Sequence, residues 1–239
     1  MPVYCVTGAN RGLGLEFVRQ IALDSSNTVL ATTRANADTS DLKKASSSNT
    51  HILECDVSDT KSISSFASQA SKTLNGGKID YLIANAGVNS VPHQTCLDIN
   101  ASDLHRELDI NVMGPANLTA ILLENSLLAS NARVMNMTSG LGSMTRSLGI
   151  SPRKCATYSI SKAGVNMLTV HQSGVLREKL GEKCIVMCMD PGWVKTRMGG
   201  DGAILEPEES IGGMLKVLNG LKEKDNGKFY QYDGQEVGW

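Results

Sequence analysis

Short apolar runs alternate with longer stretches of helical period along the 239 residues of this chain. Val3 to Thr7 reads as a strand, and Gly12 to Leu23 as a helix with Leu13, Phe17 and Ile21 on its inner face. Thr28 to Thr32 is a second strand. The polar run from Arg34 to Asn49 allows at most a short helix near Leu42, and His51 to Cys55 is a third strand. Ser58 is placed to cap the next helix, whose Ile63, Phe66, Ala70 and Leu74 keep a helical period until Asn75-Gly76-Gly77 stops it. Ile79 to Ala84 is a fourth strand, and Ser102 is the expected N-cap of a long helix running to about Leu128. Ala132 to Met137 is a fifth strand, followed by a long helix from Tyr158 to Leu180 with its cations near the C-terminal end. Cys184 to Met189 is a sixth strand, Glu208 to Leu221 a helix, and Lys228 to Gln231 a final strand.

This order, with no internal repeat and no dividing linker, predicts an α/β architecture in a single domain over 1–239. A doubly wound parallel sheet of about seven strands with helices on both faces, a three-layer Rossmann-type fold, satisfies it. Ligands of such a sheet collect at the C-terminal ends of its strands. Composition narrows the classes further. A net charge of −1 gives no basic footprint for nucleic acid. No apolar run reaches the roughly 18 residues of a membrane span, and the chain enters its first strand without the pattern of a secretory signal. The six cysteines are scattered, form no Cys-x-x-Cys pair and fall mostly in apolar runs; the four histidines show no metal-ligand spacing. A reduced, cytoplasmic protein with no metal site is expected.

Three stretches carry chemistry. Thr7-Gly8-Ala9-Asn10-Arg11-Gly12-Leu13-Gly14 lies between the first strand and the first helix. Its glycines permit a tight turn and close approach of a pyrophosphate to a helix N-terminus. Tyr158 and Lys162 stand four residues apart on one helix face, where an ammonium group would draw a phenol toward phenolate and make it a proton donor and acceptor. Ala31-Thr32-Thr33-Arg34 ends the second strand without the carboxylate that would bind a ribose 2′-hydroxyl. Arg34 and Arg11 could instead meet a 2′-phosphate, so NADP(H) is favoured over NAD(H). Pro115 adds a local irregularity: it lacks an N–H, so the Asn111 carbonyl loses its partner within the expected helix.

The glycine turn, Asn85-Ala86-Gly87 after the fourth strand, Ser139 after the fifth, Tyr158-x-x-x-Lys162, and Pro191-Gly192 after the sixth occur in this order. The ordered set resembles the short-chain dehydrogenase/reductase family over nearly the whole chain. Thr7 to Leu15 and Asp190-Pro191-Gly192-Trp193-Val194-Lys195-Thr196 further resemble its C-factor and sniffer-type carbonyl reductase branch. The resemblance implies an NADPH-dependent oxidoreductase that interconverts a ketone or aldehyde with its alcohol. It implies that Tyr158 is the general acid/base, that Ser139 orients the carbonyl, and that Lys162 assists Tyr158 and binds the nicotinamide ribose. The carbonyl of Asn111 would hold a water in contact with the lysine. Gly8, Asn10, Arg11, Gly12 and Leu13 would form the phosphate turn, Asp56 and Val57 would line the adenine site, and Val194 and Thr196 would hold the carboxamide. Asn85, Ala86 and Gly87 would border the cofactor, with strand-tying an equal alternative for Asn85. A homodimer or homotetramer is also implied by resemblance.

One departure concerns spacing. Eighteen residues separate Ser139 from Tyr158, where about a dozen is usual for the family. Ser143 is therefore an alternative serine. The segments near 88–100, 143–156 and 197–207 are expected to border the substrate. Two other functions fit the same motifs: a non-catalytic NADP(H)-binding regulator or signalling protein, and an NAD-linked alcohol dehydrogenase.

Overall fold

The computed structural model describes residues 1–239. Seven strands form one sheet in the order β3-β2-β1-β4-β5-β6-β7. They are β1 Val3–Val6, β2 Thr28–Thr33, β3 Thr50–Glu54, β4 Ile79–Ala84, β5 Leu128–Met137, β6 Ile185–Asp190 and β7 Phe229–Gln231. Every neighbouring pair is parallel. Alternation along β1 shows how the layers form. Val3 and Cys5 enter one apolar cluster with Ile63, Phe66, Leu118, Leu122 and Leu176, while Tyr4 and Val6 enter another with Phe17, Ile21, Leu42, Ile211 and Met214. The first cluster is covered by helices α3 (Thr60–Leu74), α5 (Gly114–Glu124) and α7 (Ala156–Leu180). The second is covered by α1 (Gly12–Ala22), α2 (Ser40–Ala45) and α8 (Pro207–Gly220). The expected three-layer, doubly wound sheet is the observed one. None of its helices is long and apolar enough to cross a membrane.

Several boundaries differ from the sequence expectation. Helix α3 is capped by Asp59, which accepts from the Lys61 amide at 2.8 Å. Ser58 instead turns its hydroxyl to Asp56. Ahead of α4 (Ala101–Leu108) the cap is Asn100, accepting from the Ser102 amide at 2.9 Å. Each true cap lies within two residues of the expected serine and is an Asx residue, whose oxygen fills the same role.

The long helix to Leu128 is not continuous. A π turn at Asp109–Met113 separates α4 from α5, with the Gly114 amide bonded to the Asp109 carbonyl five residues back. Pro115 explains the interruption, because it has no hydrogen with which to continue the ladder at Asn111. Leu128 belongs to β5, which begins four residues earlier than expected. The fold thus places irregular backbone at Asn111, beside the C-terminal ends of the strands.

Candidate active site

The strand order reverses between β1 and β4, and the crevice at that reversal is built by side chains from both exits. Asn85 Nδ2 donates to the Thr7 carbonyl at 2.8 Å, and the Ala86 amide donates to Thr7 Oγ1 at 3.0 Å. Asn85 is therefore a tie between the two turns. Gly14 lies so close beneath this turn that a Cβ there would sit 2.2 Å from the Gly8 carbonyl oxygen. Only glycine admits that approach. Arg11 occupies the N-cap of α1 in extended conformation and makes no side-chain cap, so the first amides of α1 have no capping side chain. Leu13 packs against the core, and Asn10 Nδ2 donates to the Asp38 carbonyl at 3.3 Å, which holds the turn to the segment beyond β2.

Arg34 comes within electrostatic reach of Arg11, as the sequence suggested, and Arg197 joins them. Burial followed by the charges of Arg197 and Arg34 lowers the pKa of the Arg11 guanidinium. No carboxylate pairs with any of the three. Sequence reading missed Arg197 because its proximity depends on the loop after β6 folding back over the glycine turn. Thr196 lies 3.8 Å from where a Gly12 Cβ would be, and its hydroxyl accepts from the Gly199 amide at 3.1 Å. Val194 is buried and bridges to Leu205, the Pro191 carbonyl accepts from Ser210 Oγ at 2.7 Å, and the exposed Trp193 bonds its indole N–H to the Gly199 carbonyl. Asp56 receives the Ser58 amide and hydroxyl on one oxygen, and Val57 packs against Gly114 at the start of α5. A close-packed glycine turn at a helix N-terminus, faced by three unneutralised guanidinium groups, fits a phosphate-bearing dinucleotide.

Beyond this crevice the motif residues of β4, β5 and α7 converge. Lys162 is 3% exposed, and its Nζ donates to the Met137 carbonyl at 2.7 Å. The same Nζ lies 5.5 Å from the centroid of the Tyr158 ring. Gly87 fits between the two helices: a Cβ there would be 3.1 Å from Asn111 Oδ1 and 3.5 Å from Lys162 Nζ. The Asn111 side chain is fully engaged. Its Oδ1 accepts from the Val88 amide at 2.8 Å, and its Nδ2 donates to the Val88 carbonyl and to Ser161 Oγ, both at 2.9 Å. Ser139 caps a short 3-10 turn, Gly140–Gly142, accepting from the Leu141 amide at 3.2 Å, and its hydroxyl acts on the Tyr158 phenol. Ser143 is buried, donating to the Gly238 carbonyl at 2.5 Å and accepting from the Arg146 amide at 3.1 Å.

The electrostatics differ from the expected simple pairing. Burial pushes the Tyr158 phenol up and Asp190 adds to the rise, while the Ser139 hydroxyl acts the other way. Burial also brings Lys162 down to about 8, opposed by Glu107 and then Cys188. The amine therefore does not depress the phenol as the bare i, i+4 spacing suggested. Desolvation outweighs their attraction in this pocket. Two acidic residues absent from the sequence reading of the site, Glu107 and Asp190, contribute to this balance. Glu107 is fully buried, with one oxygen on the Ser90 amide at 2.5 Å. Asp190 stands in a sequence motif and Glu107 in none, but the influence of each on Tyr158 or Lys162 crosses between elements and is not carried by local spacing.

Lys162 makes stability depend on pH. Its folded-state value of about 8 lies below the ordinary 10.5, so between those values the unfolded chain binds more protons and this group favours folding as pH rises. The wild type should therefore gain on Lys162→Met by on the order of 3 kcal/mol across that window. Urea unfolding of both proteins cancels the titrations they share; a difference that stays constant with pH contradicts the burial of a titrating amine.

The sequence matches the family model for short chain dehydrogenases over residues 2–203. It is 35% identical over 165 residues to the C-signal protein of Myxococcus xanthus, a match covering 68% of this chain and 94% of that one. It is 31% identical to the short chain dehydrogenase gsfK of Penicillium aethiopicum over 98% of both. Among solved structures, the NADPH-bound carbonyl reductase from chicken fatty liver superposes with a TM-score of 0.91 at 33% identity, covering 100% of both chains. Carbonyl reductase Sniffer of D. melanogaster superposes at 0.90 and 28% identity, again over 100% of both. Motif order, sheet topology and these likenesses agree: the chain belongs to the short-chain dehydrogenase family of oxidoreductases.

Proposed function

We propose that this chain is an NADPH-dependent carbonyl reductase, interconverting a ketone or aldehyde with its alcohol. The observation that carries this reading is the convergence of Ser139, Tyr158 and Lys162 at the edge of a crevice suited to a dinucleotide. When bound, the reduced cofactor supplies the hydride that reaches the carbonyl carbon. Gly8, Asn10, Gly12 and Leu13 hold its pyrophosphate, and Arg11 and Arg34 meet the 2′-phosphate with Arg197 adding to the positive field. Asp56 and Val57 line the adenine side. Asn85, Ala86 and Gly87 form the wall between, while Pro191, Gly192, Val194 and Thr196 hold the carboxamide end. The NADPH bound by the chicken enzyme supports the same cofactor here.

Ser139 donates to the substrate carbonyl oxygen, stabilising charge as it develops there. Tyr158 then gives that oxygen its proton. A phenol held protonated by burial is the form a proton donor requires, so the raised value suits the reductive direction. Lys162 binds the ribose hydroxyls, its Nζ lying 5.5 Å from the centroid of the Tyr158 ring. Asn111, with its side chain occupied at Val88 and Ser161, offers its main-chain carbonyl to a water that returns the proton. Ser143 has its hydroxyl committed within the protein, which favours Ser139 for the substrate. The segments near 88–100, 143–156 and 197–207 border the substrate within one catalytic unit. Exposed Ile160, Met167 and Val170 on α7 support pairing of that helix between subunits.

A nucleotide-binding regulator would need the crevice but gains nothing from a buried amine that costs stability. Tyr158→Phe should keep NADPH affinity within about threefold and lower turnover of a carbonyl panel by at least about a hundredfold. Unchanged turnover would remove Tyr158 from the mechanism. Arg11→Ala and Arg34→Ala should each weaken NADPH roughly tenfold or more while leaving NADH nearly unaffected. Equal losses with both cofactors, read by titration calorimetry, would contradict the 2′-phosphate assignment.

A further inference from the structure

The last residue of β6, Asp190, is 6% exposed and has no part in the scheme above. Its carboxylate nevertheless gathers groups from three segments. Oδ1 accepts from the Gly192 amide at 3.1 Å, in the turn that borders the carboxamide site. The backbone of Gly140, next to Ser139, acts on the same carboxylate, opposing the rise in its pKa that burial causes. Oδ2 pairs with Arg146 at 3.2 Å. A Cβ on Gly140 would sit 3.0 Å from Oδ2 and 3.5 Å from Arg146 Nη1, so the three groups are in direct contact.

Arg146 belongs to the extra length between Ser139 and Tyr158. That length is folded rather than loose. A short helix, α6 (Met144–Ser147), is pinned by Thr145 to the Trp239 carbonyl and by Arg153 to the carbonyls of Ser147 and Leu148. The insertion thus delivers one guanidinium to the end of β6. A buried carboxylate with a charged partner and a bonded amide is a satisfied site, and breaking one partner exposes the cost of the rest.

We infer that Asp190 and Arg146 form a latch that fixes the Ser139 turn against the Gly192 turn and sets the charge facing the Tyr158 hydroxyl. Asp190 is a positioning residue in this scheme: it acts on the reaction through Ser139 and Tyr158. The inference rests on the carbonyl reductase reading and assigns a role to the extra length between Ser139 and Tyr158. The Asp190 charge raises the Tyr158 pKa. The other groups acting there are Ser139, Cys155 and Glu107, with Lys162 beside the ring, while Asp190 itself also faces Arg146, Asp233 and Cys188.

The two halves of the latch have opposite charge, so removing them should have opposite effects. Asp190→Asn takes away a negative charge and should lower the Tyr158 midpoint by about one pH unit. Arg146→Gln leaves the carboxylate less compensated and should raise it by a smaller amount. Tyr158→3,5-difluorotyrosine, followed by 19F NMR, reads this midpoint without relying on turnover, because fluorination brings the phenol into an accessible pH range. Both substitutions should leave NADPH affinity within about threefold and lower reductive turnover of 4-nitrobenzaldehyde. Arg146→Gln keeps the carboxylate and its bond from the Gly192 amide, and so carries the test if Asp190→Asn fails to fold.

Midpoints that do not move, or that move in the same direction, overturn the latch; so does a turnover unaffected by either substitution. Tyr158→Phe separates this failure from failure of the underlying reading. Loss of turnover in that variant with unmoved midpoints in the others rejects the latch alone, whereas full turnover without the phenol rejects the reductase assignment itself.

Discussion

Lys162 is an amine held almost entirely out of water at the end of β5, and the surrounding structure is arranged to tolerate it. Its Nζ gives one hydrogen bond to the Met137 carbonyl, and a buried carboxylate, Glu107, acts on it from α4. A cation in such a place costs free energy, which appears as a value brought down to about 8. The half-buried phenol of Tyr158 is displaced in the other direction. Burial thus moves the two groups apart, the phenol toward its protonated form and the amine toward its neutral one. The π turn at Asp109–Met113 serves the same place, because it sets Asn111 to grip Val88 and the start of α7 together.

The topology supplies the second half of the site. Reversal of strand order between β1 and β4 opens a crevice, and Asn85 laces its two lips while Gly14 lets α1 approach. Arginines from three separate segments meet at its phosphate end. Their mutual repulsion is unrelieved within the chain, which suits an anionic ligand better than a structural role. The Asp190 and Arg146 pair stands at the opposite end, tying the segment after β5 to the turn after β6.

Much of this was legible in the sequence, for identifiable reasons. Short apolar runs and helical periods located every strand and the three-layer architecture, because apolar burial dominates those positions. Short motifs located the glycine turn, Ser139, Tyr158 and Lys162, since each depends on neighbours close in the chain. Helix caps at Ser58 and Ser102 were misplaced by one or two residues because Asp59 and Asn100 compete chemically for the same role. The helix break was visible only as a missing hydrogen at Pro115, and the π turn that answers it depends on packing. Arg197, Glu107 and Asp190 escaped because their partners lie on other strands and helices. The direction of the Tyr158 shift escaped for the same reason: spacing shows a nearby ammonium group, while burial is a property of the whole fold.

The central claim is that this pocket passes a hydride to a carbonyl carbon and a proton to its oxygen. Incubating the purified chain with NADPH deuterated at nicotinamide C4 and a panel of aldehydes, ketones and quinones tests it most directly. The account predicts that deuterium appears on the former carbonyl carbon of an alcohol product, from one face of the nicotinamide only. Tight NADPH binding with no transfer to any member of the panel would contradict it.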